Sequence, residues 1–206
     1  MTGLRDLKRR RVHETISRTA IALFLERGFD AVPVAEVAAA AEVSKPTLFK
    51  YFATKEDLAL HRITDHLGEP ARVVRGRAPG QDPLEALRSH FLDGLERRDP
   101  ITGLNDDPEV VAYHGMVFMT PSLVARLWFY MAQDEELLAE ALAEAAEPLT
   151  ARLLAGQILA VQRVLARDTW RRLVDGRTAD ELHPEAVAAA ERAFGLLRSG
   201  VDGLDA

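Results

Sequence analysis

The segment 34–58, VAEVAAAAEVSKPTLFKYFATKEDL, restricts the possible fold more than any other part of this 206-residue chain. Val34, Val37, Ala38 and Ala41 recur at the three- and four-residue spacing of a short helix that buries one face. Glu42, Val43 and Ser44 then break the pattern, with Val43 as an apolar plug beneath a turn. Ser44 has the side chain of an N-cap, and the helix it opens carries Leu48, Phe49 and Phe52. Two short helices joined in this way can lay the second in the major groove of DNA, its N-terminal residues facing base edges. The spacing predicts a helix-turn-helix over 33–52. Leu48, Phe49 and Phe52 are expected to hold it against Leu23 and Phe24 of a first helix, which runs through Val12, Ile16 and Ala20 and stops at Gly28.

The side chains at the start of the second helix suit base contacts. Lys45 can reach a guanine edge or a phosphate, and Thr47 can hydrogen-bond or touch a thymine methyl. Pro46 is tolerated in a first turn, where its missing N–H costs little. Lys50, Tyr51 and Lys55 offer two cations and a phenol to the backbone phosphates, contacts that position without specifying. The candidate DNA-binding set is therefore Ser44, Lys45, Pro46, Thr47, Lys50, Tyr51 and Lys55. Charge distribution agrees with this. Residues 1–62 carry 11 Lys/Arg against 8 Asp/Glu, whereas the remainder carries 15 against 24. A basic N-terminal piece on an acidic body places any polyanion at the first part.

The same run closely resembles the DNA-binding domain of the TetR family of bacterial repressors. The matching residues are Val34, Val37-Ala38, Ala41, Val43-Ser44, Thr47-Leu48-Phe49, Tyr51-Phe52, Lys55-Glu56 and Leu58, with Leu23-Phe24 and Gly28-Phe29 upstream. The resemblance covers about 10–70. Two positions depart from the family pattern. Glu42 stands where the turn glycine is usual, so the turn must form without the residue that most readily adopts a left-handed conformation. Pro33 replaces the threonine that usually opens the second helix, which removes a hydroxyl from the phosphate contacts.

Elsewhere the periodicity is helical, with no sustained alternation of period two. Thr54 and Asp57 form a capping-box-like pair ahead of a helix expected to reach about Leu67. The stretch 68–81, rich in Gly, Pro and Arg, reads as a loop. Helices restart at Asp82-Pro83, Asp107-Pro108, Thr120-Pro121, Pro148 and Pro184. The expected fold is all-α with about nine helices. It divides into a DNA-binding domain at 10–70 and a helical ligand-binding and dimerisation domain at 71–206.

For the second part, the resemblance implies a homodimer through the helices at about 149–175 and 184–200, with Ala155, Leu159, Ala189, Ala190 and Phe194 on faces suited to close packing. It also implies a small-molecule effector. Phe91, Met116, Phe118, Met119, Trp128 and Phe129 are the candidates to line a mostly apolar pocket. The Pro-started helix and the acidic, Ala-rich 134–146 resemble the mycofactocin-regulator-like subgroup, implying an acyl-CoA-like ligand. The expected partner is a pseudo-palindromic operator, and repression released by the ligand is the expected activity.

Other functions find little support. No G-x-S-x-G, phosphate loop or dinucleotide fingerprint is present, and His13-Glu14 lacks the second histidine of a zinc-protease motif. The chain has no cysteine, which excludes disulfides and thiolate metal sites. No catalytic residue, cofactor or metal ligand is expected. A metal-responsive regulator, using His61 and Asp65 with His66, His90 or His114, is the alternative. No run approaches the roughly 20 uninterrupted apolar residues of a membrane span, and the basic N-terminus lacks a following apolar segment. A cytoplasmic protein is expected.

Overall fold

A computed structural model describes residues 3–199, which are helices and their connections. In chain order these are α1 (Leu4–Arg27), α2 (Val34–Ala40), α3 (Lys45–Phe49), α4 (Lys55–Thr64), α5 (Glu69–Gly76) and α6 (Pro83–Glu96). A 3₁₀ turn (Pro100–Thr102) precedes α7 (Pro108–Met119), α8 (Pro121–Leu142), α9 (Pro148–Val174) and α10 (Ala179–Ser199). The fold is all-α, and the nine helices read from the sequence are present among the described residues. Contacts group the chain into two units. One comprises Met1–Asp65 and Ala112–Phe129, the other His66–Val111 and Tyr130–Ala206.

The first unit is built on α1, which packs on both α2 and α4. Its buried stripe of Ile16, Ala20, Ile21 and Phe24 has the spacing of one helix face. Leu58, Ala59 and Leu60 of α4 are also fully buried. α7 and α8 meet at Thr120 with a bend of 92°. The turn exists because Pro121 cannot continue the preceding helix but is well suited to start the next.

The second unit closes around Leu87, Phe91, Leu104, Leu138, Ile158 and Phe194, with α6 packed on α10 and α10 on α9. Gly103 sets how closely the 3₁₀ turn approaches α9. Its φ is 76°, and a Cβ there would fall 2.0 Å from the carbonyl oxygen of Ala166. Only glycine permits both the backbone conformation and the approach.

The structure moves three boundaries. α4 ends at Thr64, and the expected loop at 68–81 holds α5. Pro70 lies in the first turn of α5, and Ala71 and Val74 turn inward. A proline and two buried residues three apart make too faint a stripe to stand out among Gly and Arg. α10 begins at Ala179 rather than at Pro184, because Thr178 and Glu181 cap it reciprocally. Pro184 lies within the helix.

The small-residue faces of the last two helices also differ from expectation. Ala155, Ala190 and Phe194 belong to this chain's own core, and Leu159 packs against it. The outward apolar positions are Leu149, Leu153, Val164 and Val174 of α9 and Leu196 of α10. By length and composition α9 could cross a membrane, as could α7 and α8 taken together across their bend. The arginines at 152, 163, 167, 171 and 172 interrupt the apolar surface of α9.

Candidate nucleic-acid interface

The turn between α2 and α3 is a Schellman motif. Glu42 occupies its left-handed position at φ 56°. The Glu42 N–H donates to the Ala39 carbonyl at 3.1 Å, and the Val43 N–H donates to the Ala38 carbonyl at 2.9 Å. Val43 is half-buried just past this turn. The break thus satisfies the carbonyls at the end of α2 while redirecting the chain. Ser44 then caps α3, its hydroxyl accepting the Thr47 N–H at 3.1 Å.

Five residues of α3 divide cleanly by face. Leu48 is fully buried, and Phe52 just beyond the helix is nearly so. Ser44, Lys45, Pro46, Phe49 and Lys50 are exposed, while Thr47 and Tyr51 are intermediate. Phe49 does not join the packing against α1 expected of it. It is 41% exposed, while Leu48 and Phe52 take the buried side. The Lys45 ammonium lies 5.9 Å from the Phe49 ring centroid, one turn away. The Ser44 and Thr47 hydroxyls are hydrogen-bonded to each other at 2.7 Å.

Lys55 faces into the domain. Its ammonium donates to the Phe29 carbonyl at 2.5 Å and sits over the Phe29 ring at 4.4 Å and the Phe24 ring at 5.5 Å. That arrangement fastens the α1–α2 connection to the start of α4. Arg27 of α1 pairs with Glu36 of α2 on the same side. Behind α3, the His13 ring stacks on Phe52 at 4.3 Å and meets His61 edge-on at 4.2 Å. Burial, helped by the neighbouring His61, holds His13 below the usual imidazole range, and burial also lowers His61. Both rings therefore favour the neutral form that such packing requires.

The start of α4 is tied to the α7–α8 corner. Asp57 completes the capping box, accepting the Thr54 N–H through Oδ2 at 3.1 Å, while its own N–H donates to the Thr54 hydroxyl at 3.1 Å. Its other oxygen, Oδ1, accepts from Arg126 Nε at 2.7 Å. Two residues on, the Ala59 carbonyl accepts from the Tyr113 hydroxyl at 2.7 Å. The sequence revealed the capping box but neither of these distant partners, since nothing local links 57 to 126.

The six aromatic and methionine candidates for an effector pocket fall in both units, Phe91 in the second and the other five in the first. Phe91 is a core residue whose ring lies 6.1 Å from that of Phe194. Phe118 stacks on His114, and Arg126 covers the Phe129 ring at 4.7 Å. Trp128 and Phe129 are half-exposed, and Met119 is 76% exposed. For the metal alternative, no group of three or more His, Asp or Glu among the described residues is arranged to hold an ion. His61 faces Asp65 at 3.4 Å, and His66 and His90 both face Glu69, at 2.6 and 3.1 Å. His114 is buried, which pushes it down to about 4.

Known proteins resemble this chain in sequence and in fold. The pattern described as bacterial regulatory proteins, tetR family, matches residues 16–61. The HTH-type transcriptional regulator TcmR of Streptomyces glaucescens is 31% identical over 179 residues, covering 82% of this chain and 78% of its own. Among solved structures, NalD of Pseudomonas aeruginosa, the secondary repressor of the MexAB-OprM multidrug efflux pump, aligns with a TM-score of 0.59 at 18% identity, over 89% of this chain and 97% of its own. Thermus thermophilus FadR, a TetR family transcriptional repressor in complex with lauroyl-CoA, aligns with a TM-score of 0.56 at 23% identity, over 92% and 94%. The likeness to TcmR extends well past the helix-turn-helix, and with the family pattern it assigns the whole chain: this protein belongs to the TetR family of transcriptional regulators.

Proposed function

We propose that the chain is a homodimeric repressor that holds a pseudo-palindromic operator and releases it when a small, largely apolar effector binds its helical body. The outward face of α3 carries the reading, since Lys45, Pro46, Phe49 and Lys50 are all exposed there. Lys50 and Tyr51 contact phosphates and fix the register, and Lys45 reaches a base edge or a phosphate. Ser44 and Thr47 form the cap that orients α3. Lys55 acts indirectly, by holding the α1–α2 connection in place. The exposed apolar positions of α9 and α10 support dimerisation through those helices.

An acyl-CoA-like effector is supported by fold relatives crystallised with such molecules, FadR of Thermus thermophilus with lauroyl-CoA and FadR of Bacillus subtilis with stearoyl-CoA. Release follows if the effector favours a conformation in which the paired α3 helices no longer match the groove, lowering affinity by its own preference for that state. Footprinting the purified protein across DNA flanking its gene should reveal two protected half-sites about one helical turn apart, or a multiple of it. Adding lauroyl-CoA should weaken that protection. Uniform, sequence-independent protection would overturn the DNA-reading proposal, and a footprint indifferent to lauroyl-CoA would remove that effector class.

A further inference from the structure

The outward stripe of α3 has an exposed phenyl ring at its centre, that of Phe49. Lys45 and Phe49 are one turn apart on one face, with Pro46 and Lys50 beside them, and all four are exposed. Two hydroxyls that could have formed polar base contacts, those of Ser44 and Thr47, bond to each other. Ser44 also accepts the Thr47 N–H. Phe49 has no polar atom with which to hold a phosphate. The major groove offers one apolar feature among its base edges, the C5-methyl group of thymine.

We propose that Phe49 is a specificity-determining residue, and that each operator half-site carries a thymine whose methyl group packs against its ring. This rests on the DNA-binding reading of α3. Lys45, with its ammonium 5.9 Å from the ring centroid, then addresses the neighbouring base or phosphate. The ring and the cation together select a thymine beside an electronegative edge, and they discriminate against cytosine at the ring position through the missing methyl.

The test removes only that methyl. Once a footprint has located the operator, duplexes are made with each thymine replaced by deoxyuridine, symmetrically in both half-sites, and binding is followed by fluorescence anisotropy. One position should weaken binding by about fourfold per half-site, the worth of a single buried methyl group. In Phe49→Ala, affinity for the intact operator should fall and the difference between thymine and uracil at that position should vanish. Phe49→Leu should keep the preference. Phe49 is exposed, and thermal melts of both variants would verify that they fold. The inference is overturned if no thymine is sensitive in the wild-type complex, or if the sensitivity persists in Phe49→Ala. A missing footprint would instead overturn the DNA-binding reading itself, so the two failures are distinguishable.

Discussion

Glu42 holds a left-handed backbone conformation that an L-residue with a Cβ adopts at a cost of about 1 kcal/mol or more. The surrounding Schellman hydrogen bonds enforce it, since the 6→1 and 5→2 bonds from Val43 and Glu42 require this φ. Glu42→Gly should therefore stabilise the protein by about 1 kcal/mol. For a chain of this size that raises the melting midpoint by about 2–4 °C, which calorimetry can resolve. A fall in the midpoint would mean that the carboxylate contributes more than its backbone costs. The strained residue was legible through the family resemblance, whose pattern puts a glycine at the turn position that Glu42 fills. Phe49 was not. Leu48, Phe49 and Phe52 are equally apolar, and only the helix phase decides that Leu48 and Phe52 turn inward while Phe49 faces out. Lys55 illustrates the same limit. A lysine beside a helix start suits a phosphate, yet two aromatic rings and a carbonyl 26 residues earlier hold its ammonium inside the domain.

At the scale of elements, α4 connects to two places. Its N-terminus is capped by Thr54 and Asp57, and the same Asp57 receives Arg126 of α8. The Tyr113 hydroxyl of α7 bonds the Ala59 carbonyl, and the Arg62 guanidinium lies 5.7 Å from the Tyr113 ring. A displacement at the α7–α8 corner would therefore pull on the first turn of α4, next to the Lys55 staple. Asp57 is nearly buried and Arg126 largely so, a setting in which losing one partner matters more than at an open surface. Arg126→Leu should destabilise the protein by about 2 kcal/mol, measured by chemical denaturation. It should also blunt the effect of the effector on operator affinity. A variant with unchanged stability would show the pair to be a surface ornament, and one that loses stability but keeps a full effector response would remove the coupling role. Local signals in the sequence set the caps and the Pro-started helices. They did not find α5, whose fully buried residues are Ala71 and Val74. They could not find the partners of Asp57, which depend on how distant segments pack.

At the scale of the whole molecule, a single α3 stripe contacts too few base pairs to select an operator alone, so DNA recognition depends on pairing two copies. The chain carries a surface suited to that. Leu153 and Val164 of α9 are 58% and 60% exposed, 11 residues or about three helical turns apart, on a helix whose opposite positions Ala151, Ala155 and Ile158 are buried in its own core. Leu149 and Leu196 extend the exposed apolar set. Isologous pairing would bring each helix against its symmetry mate or against α10 of the other copy, removing these leucines and valines from water. The core positions Ala190 and Phe194 are then what hold α9 and α10 together within one copy, so substitutions there test folding rather than association. Leu153→Glu combined with Val164→Glu places charges on the outward surface and leaves the core untouched. The double variant should sediment as a monomer with an unchanged helical circular-dichroism spectrum. Its operator affinity should fall by more than about 100-fold, because each copy must then bind a half-site without its neighbour's contribution. A variant that remains a dimer would move the interface off α9. A monomer that still binds a full operator at wild-type affinity would mean that one α3 stripe suffices, against the geometric requirement for two.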